Sequence, residues 1–552
     1  MNLFRKLAVL LFLAATLFSV SCLAEEGETR ILVIETTDIH GYLMDASSGD
    51  PAAFEYRLAR IAHLVGEERN SGRYDDVLLL DGGDLYQGTP VSNMTGGAAI
   101  RAAFDLMQYD AVVLGNHEFD WDVTEYAADS DGTIAPYVLG DYFGDPKIPV
   151  LASNLYDAAT GKRVSFTKDY AVIEKAGKRI AIVGYIPDYR HDIMTDRIAP
   201  YRIDENPDHL NALLKQVKET EQPDAIVVLA HENPAIVAAE VDPELAVLVM
   251  GGHTHKVSTG TADNGLAYMQ GNCYAQGFAS AVLAFGPDSV SAEEVQYTDI
   301  TTDKSLLTDT AENAPGLDPG LVELSHALWD AVGEEMGEVL GYIDKPLTTD
   351  WARVGASSGG NFFTGLMLRA TQPQGTVAAF YNTGGVRAQF IIPAGETTRD
   401  FTVYDVYTLA PFCNSLLVYE INGAEMKQLL IDGMKYPNYG DQMSGLTFTY
   451  TATGDADTKR ADREYTILSI TLSDGTAVDP EDTQTMYRVC TSNYNATKHG
   501  SVFENKEPDI PAADAPIDNE IFIQILREEG QEHNGYLAVD DGPRGIEVNA
   551  QP

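Results

Sequence analysis

Residues 110–120 read DAVVLGNHEFD. A short unbroken apolar run, Ala111–Leu114, ends at once in a glycine, an amide, an imidazole and, three residues after the histidine, the carboxylate of Asp120. A run of this kind reads as a strand buried on both faces. Its polar tip is either a turn or one corner of a reactive centre, and the neighbouring runs distinguish the two.

From residue 30 to about 255 similar runs alternate with longer segments of helical spacing: RILVIE (30–35), DVLLLD (76–81), DAVVLG (110–115), IPVLAS (148–153), RIAIVG (179–184), DAIVVLA (224–230) and LAVLVMG (245–251). Segment 98–109, AAIRAAFDLMQY, has the periodicity of a helix. The alternation predicts an α/β layered domain. Helices covering one sheet and helices covering a pair of sheets both fit it.

At 552 residues the chain is too long for one core, so two or more domains are expected. Apolar residues make up 44% and charged residues 22%, the composition of a globular protein. The net charge of −46 argues against a partner that is a nucleic-acid polymer, because phosphate backbones select Lys and Arg. An anionic small molecule would need local cations.

Residues 1–24 have the pattern of an export signal, with Arg5 and Lys6, an apolar run and small residues ending at Ala24. Export with cleavage there is the first expectation, and a lipid anchor at Cys22 the second. No other stretch is apolar and long enough to span a bilayer. Cys273, Cys413 and Cys490 are far apart and form no CxxC pair, so neither a disulfide framework nor a zinc knuckle is expected. Residues 301–340 read as a linker and a connecting helix (319–337) with Pro319 at its start. Residues 28–300 before it and 341–552 after it read as separate domains; the second mixes helices such as 424–434 with strands such as 446–452 and 464–472.

Several runs end in metal-ligand chemistry. VIETTDIHG delivers Asp38 and His40, LLLDGGD delivers Asp84, VVLGNHEFD delivers Asn116, IVVLAHE delivers His231, and VLVMGGHTH delivers His253 and His255. Carboxyl ends of strands in α/β sheets are where ligands gather. Carboxylate, amide oxygen and imidazole are donors for Zn²⁺, Mn²⁺ or similar divalent ions. Seven such donors exceed one ion with an open position; they suit two ions sharing a carboxylate. Two ions carry four positive charges against two carboxylates, which leaves a local cationic spot for a phosphate.

DIHG, GDLYQGTP, GNHEFD, LAHE and GGHTH, in this order and spacing, resemble the calcineurin-like metallophosphoesterases, and more narrowly the secreted bacterial 5′-nucleotidase family. The resemblance runs from about residue 30 to near the end. It implies a four-layer α/β/β/α metal domain joined by a helix to an α+β substrate-binding domain. It implies one metal held by Asp38, His40, Asp84 and His255, and another by Asp84, Asn116, His231 and His253, with Asp84 bridging. It leaves His117 free of metal and facing the phosphate, with Asp120 holding its tautomer and favouring its protonated form. Solvent activated by the ions then attacks phosphorus in line, and His117 stabilises the developing charge.

The second domain matches the family in FYNTGGVRAQF, which implies substrate contacts from Asn382, Gly385 and Arg387. A tight turn would explain its glycines equally well. Arg353 in WARVGASSGGN sits at the family's other phosphate-binding arginine, and Phe412 and Phe503 correspond to the pair that sandwiches a nucleobase. VGASS lacks the acidic residue common after the first arginine, and KHGSV replaces a Gly-Gly-Asp-Gly-like turn; both departures bear on base and ribose contacts. The opening ETTDIHG is similar to the related 2′,3′-cyclic-nucleotide phosphodiesterases, whereas GNHEFD and PFCNSL lean to the 5′-nucleotidases. The expected activity is release of phosphate from nucleoside 5′-monophosphates. The alternatives are a cyclic-nucleotide phosphodiesterase with 3′-nucleotidase action, a nucleotide-sugar hydrolase, and a surface binding protein on an inactive scaffold. The metal's identity, base preference and oligomeric state stay open.

Overall fold

The computed structural model describes residues 28–46, 53–120, 148–187, 198–204, 206, 208–287, 289–349, 357–435, 440–454, 458–511 and 515–548. Each apolar run becomes a strand, and the strands fall into two six-stranded sheets. The first runs, edge to edge, Val290–Asp299, Gly277–Phe285, Thr29–Thr36, Asp76–Asp81, Ala111–Val113 and Val150–Leu151. The second runs Ser258–Thr261, Ala267–Gln270, Leu248–Met250, Ala225–Ala230, Lys178–Tyr185 and Tyr170–Lys175. Central neighbours are parallel: Thr29–Thr36 with Asp76–Asp81, that strand with Ala111–Val113, and Ala225–Ala230 with Leu248–Met250.

The two sheets pack face to face, and helices cover their outer faces, so the α/β/β/α layering expected from the family is what forms. Helix Asp208–Glu221 buries Leu210, Leu213, Leu214 and Val217, a stripe of helical period, against Ala181, Val183, Ile226 and Val228 of the second sheet. Helix Ala98–Met107 turns Ala99, Ile100, Ala103, Phe104 and Met107 inward on the other side.

Helix Pro319–Met336 begins with Pro319 at its first turn, and the Asp318 carboxylate caps it by accepting from Leu321 N–H at 3.0 Å. It packs on helices Arg57–Asn70, Pro90–Met94 and Ala98–Met107, and on Val403–Leu409 from the second half of the chain. That half holds a four-stranded sheet ordered Leu416–Asn422, Met486–Ser492, Ala378–Asn382 and Asp441–Ser444. A further sheet is ordered Ala477–Val478, Tyr465–Leu472, Leu446–Ala452 and Gly545–Glu547, with its own apolar core. Cys273, Cys413 and Cys490 are unpaired, and no helix among the described residues is long and apolar enough to cross a membrane.

Candidate metal centre

The parallel strands of both sheets point their carboxyl ends at one spot. Asp38 and His40 follow Thr29–Thr36, Asp84 follows Asp76–Asp81, and Asn116 follows Ala111–Val113. His231 follows Ala225–Ala230, and His253 and His255 follow Leu248–Met250. Asp38, His40, Asp84 and His255 converge in one group, and Asp84, His231 and His253 in another, each with ligand atoms within 4.8 Å of one another. Asn116 Oδ1 lies 2.9 Å from His253 Nδ1, which adds the amide to the second group.

The spacing of these atoms fits divalent cations. Tetrahedral donors at ordinary zinc–nitrogen distances stand roughly 3.3 Å apart. Here His40 Nε2 and His255 Nε2 are 3.0 Å apart, His40 Nε2 and Asp84 Oδ2 3.7 Å, and His255 Nε2 and Asp38 Oδ1 3.4 Å. In the second group His231 Nε2 and Asp84 Oδ2 are 3.1 Å apart. The outer ring nitrogens of two ligands face backbone carbonyls: His40 Nδ1 is 2.8 Å from Gln87 O and His231 Nδ1 2.5 Å from Gly82 O. An Nδ1–H donated there leaves each Nε2 lone pair facing the centre. Burial pulls His40 well below the ordinary imidazole range, and burial with Arg387 nearby pulls His255 down to about 3, so both rings are neutral donors.

Backbone strain is concentrated here. Asp38, His40, Asp84, His253 and His255 all have φ between 49° and 66°, in the left-handed region that non-glycine residues rarely occupy. Such conformations cost about 1–3 kcal/mol each and persist only where surrounding structure holds them. Part of that hold is Glu118, 1% exposed, whose Oε2 accepts from Asp84 N–H at 3.0 Å and Gly115 N–H at 2.6 Å while Oε1 accepts from Leu85 N–H at 2.8 Å. Gly115 is required, because a Cβ there would strike the Asp84 carboxylate.

His117 stands beside the centre, its N–H donated to Asp84 Oδ1 at 2.9 Å and its Nδ1 2.6 Å from Asp120 Oδ2. Burial alone would lower its pKa; the carboxylates of Asp120 and Asp84 reverse this and push it up to about 9. The two carboxylates thus favour the protonated ring.

The second half of the chain closes over this side. A cleft of about 500 Å³ lies between them, lined by Asn116, His117, His253 and His255 on one wall and by Asn382, Gly385, Arg387 and Phe412 on the other. Phe412 stacks on His117 at 5.6 Å between ring centroids, and the Arg387 guanidinium sits 5.1 Å from the Phe412 ring. Pro411 O accepts from Asn93 Nδ2 at 2.8 Å and from Gln87 Nε2 at 3.3 Å, which ties the Phe412 turn to the metal domain. Gly385 admits no side chain because the Tyr381 ring occupies the place of a Cβ.

Arg353 lies outside the described residues, as do the export signal and Cys22. Phe503 corrects the sequence reading. Its ring is 3% exposed, sits 4.7 Å from Tyr419 inside the core of the second half, and is not among the cleft residues. The short helix Gly500–Phe503 turns Val502 and Phe503 inward together, so the ring packs instead of facing substrate. Tyr494, just past the strand Met486–Ser492, lines the cleft together with Phe412 and Tyr381. Sequence reasoning passed over it, along with Asn414, Asp441, Asn495, Lys498 and His499, which also line the cleft. The signal available for Tyr494 was the one used for the candidate metal ligands: a side chain of chemical type just past a strand's carboxyl end.

Residues 31–257 match the calcineurin-like phosphoesterase family and residues 339–505 the 5′-nucleotidase C-terminal domain. The chain is 24% identical over 92% of its length to the trifunctional nucleotide phosphoesterase protein YfkN of Bacillus subtilis, but spans only 34% of that protein. It is 24% identical to the protein UshA of Escherichia coli, covering 89% of this chain and 90% of UshA. Its fold is that of the 5′-nucleotidase precursor from Thermus thermophilus, with a TM-score of 0.70, 20% identity, and coverage of 95% of this chain and all of the other. Two matching domains in the same order, around a buried cluster of metal-binding geometry, place the chain. It belongs to the calcineurin-like phosphoesterases that carry a 5′-nucleotidase C-terminal domain, and is a metal-dependent phosphohydrolase.

Proposed function

We propose that the protein is an exported two-metal enzyme that releases phosphate from nucleoside 5′-monophosphates. The observation carrying this reading is that two ligand groups share Asp84 at the floor of a cleft whose opposite wall presents Arg387 and two aromatic rings. Asp38, His40, Asp84 and His255 hold one ion; Asp84, Asn116, His231 and His253 hold the other. The ions, when bound, neutralise the phosphate, polarise the ester and make solvent nucleophilic near neutral pH.

The chain's own groups do the rest. His117, oriented by Asp120, donates to a phosphoryl oxygen as negative charge develops. Arg387 clamps phosphate oxygens, and Arg353 is a second clamp. Gly385 keeps the Asn382–Arg387 turn close to the substrate, and Asn382 offers an amide to it. Phe412 and Tyr494 flank the base, an arrangement that tolerates different bases. Phe412 rests on His117 with one face, so the base subsite adjoins the phosphate site. A rotation of the C-terminal half about the connector near 319–341 carries substrate to the metal centre, and such motions often limit turnover. Residues 1–24 direct export, with lipidation at Cys22 as the alternative attachment.

A second reading is a 2′,3′-cyclic-nucleotide phosphodiesterase with 3′-nucleotidase action, favoured by the ETTDIHG opening at residues 35–41. Phosphate release from AMP, 2′,3′-cyclic AMP, 3′-AMP and UDP-glucose, each with and without chelator, tests both. AMP turned over fastest, and only with metal, supports the first reading. Faster turnover of cyclic AMP or 3′-AMP supports the second, and no turnover of any overturns both.

A further inference from the structure

The carbonyl that precedes Phe412 is held from across the cleft. Pro411 is buried, and its oxygen accepts from Asn93 Nδ2 at 2.8 Å and from Gln87 Nε2 at 3.3 Å, one amide for each lone pair. Asn93 Oδ1 accepts from Gly88 N–H at 3.0 Å, which turns the Asn93 NH₂ toward Pro411. Gln87 is 2% exposed, so its NH₂ would lose a partner in a buried place if the turn moved away.

The same loop grips a candidate metal ligand. Gln87 O lies 2.8 Å from His40 Nδ1, and His40 O accepts from Thr89 N–H at 3.2 Å. Gly88 permits this approach, because a Cβ there would strike His40 O. Loop 87–89 therefore holds His40 with its backbone and Pro411 with a side chain.

The flanks of the Phe412 turn are fastened to their own half of the chain. Arg387 N–H donates to Leu409 O at 3.2 Å, and Asn519 Nδ2 donates to Ala410 O at 3.4 Å and lies 3.2 Å from Cys413 Sγ. The Pro411 carbonyl between them is held by the metal domain instead. A peptide carbonyl lies in one plane with the next Cα, so holding Pro411 O fixes the plane from which the Phe412 side chain departs.

We propose that Gln87 and Asn93 are positioning residues for base recognition: they set the Phe412 ring through Pro411 O, and Gln87 ties that ring to the loop around His40. This rests on the nucleotidase reading above, in which Phe412 stacks on the base, and adds the metal-domain residues that govern the stacking.

The test is a double-mutant cycle on phosphate release from AMP by the metal-loaded full chain. The quantity is kcat/KM for the native protein, for Gln87→Met combined with Asn93→Ala, for Phe412→Ala, and for all three changes together. The pair is expected to lower kcat/KM about tenfold in the native background, through KM, and to add nothing to the loss already caused by Phe412→Ala. Inhibition by inorganic phosphate, which carries no base, is expected to stay unchanged in the pair. An equal fall in both backgrounds would overturn the proposal, as would no fall in the native background or an equal weakening of phosphate inhibition. If the pair does not fold, Gln87→Met alone, which leaves the Asn93–Gly88 contact in place, enters the same cycle with an expected fall of about two- to tenfold. Absence of phosphate release from AMP by the native protein would overturn the nucleotidase reading itself and this proposal with it, a result seen before any variant is made.

Discussion

Replacing Glu118 by Gln should loosen the metal centre without touching a ligand. Its carboxylate accepts three backbone N–H groups from the loops carrying Asp84 and Asn116. An amide keeps one oxygen. Turned to best advantage, that oxygen holds the Asp84 and Gly115 N–H groups and sets its NH₂ against the Leu85 N–H. One charge-assisted bond is lost, about 1.5–3 kcal/mol, and two become weaker neutral ones. Burial and the Asp84 charge push Glu118 up to about 7, so removing its charge returns part of the loss. A net destabilisation of about 2 kcal/mol follows, read as a lower urea midpoint. Because Asp84 is held at φ 58°, freeing its loop should also weaken metal binding about 10–100-fold, the usual effect of removing a group that orients a ligand. The assay is activity against buffered free Mn²⁺ or Zn²⁺, alongside urea unfolding. Unchanged metal affinity and an unchanged midpoint would refute the assignment of Glu118 as the loop's anchor.

Four other outcomes follow from the same geometry. His117→Ala should lower kcat about 10²–10⁴-fold, the range for a proton-donating group, with bound metal content unchanged by elemental analysis. Phe412→Ala and Tyr494→Ala should each raise KM for a nucleotide by about 1–3 kcal/mol of lost stacking. Phe503→Ala should instead lower stability by about 3–5 kcal/mol in unfolding measurements, with KM little changed. Asp518 is fully buried, and burial pushes its carboxyl up to about 8 from 3.8. The folded chain therefore keeps a proton that the unfolded chain releases, so this contribution is complete below the lower value and lost as pH rises toward the upper one. The slope is up to about 1.4 kcal/mol per pH unit, and Asp518→Asn should flatten it in urea titrations across that interval.

The convergence of the candidate metal ligands was largely legible because strand tips in an α/β fold are few and their residue types are chemical. DIHG, GNHEFD and GGHTH lie in sequence next to the strands that deliver them, so local reading sufficed. The left-handed backbone at five of these residues was not legible, since nothing in Asp or His announces φ above zero. Nor was the role of Glu118, whose three partners come from loops on two strands. In the second half the family spacing led to Phe503, although Tyr494 obeyed the strand-tip rule that had served elsewhere. The ion pair of Asp441 Oδ2 and His499 Nε2, 2.7 Å apart on the cleft wall, was invisible for another reason: it joins a sheet edge to a helix end with no spacing to mark it.

The number and placement of the ions is most directly measured by anomalous diffraction from crystals of the protein loaded with Mn²⁺ or Zn²⁺, with data across the metal's absorption edge. A bridged pair predicts two peaks flanking the Asp84 carboxylate, about 3.5–4 Å apart. A single peak, or peaks away from Asp84, would contradict it.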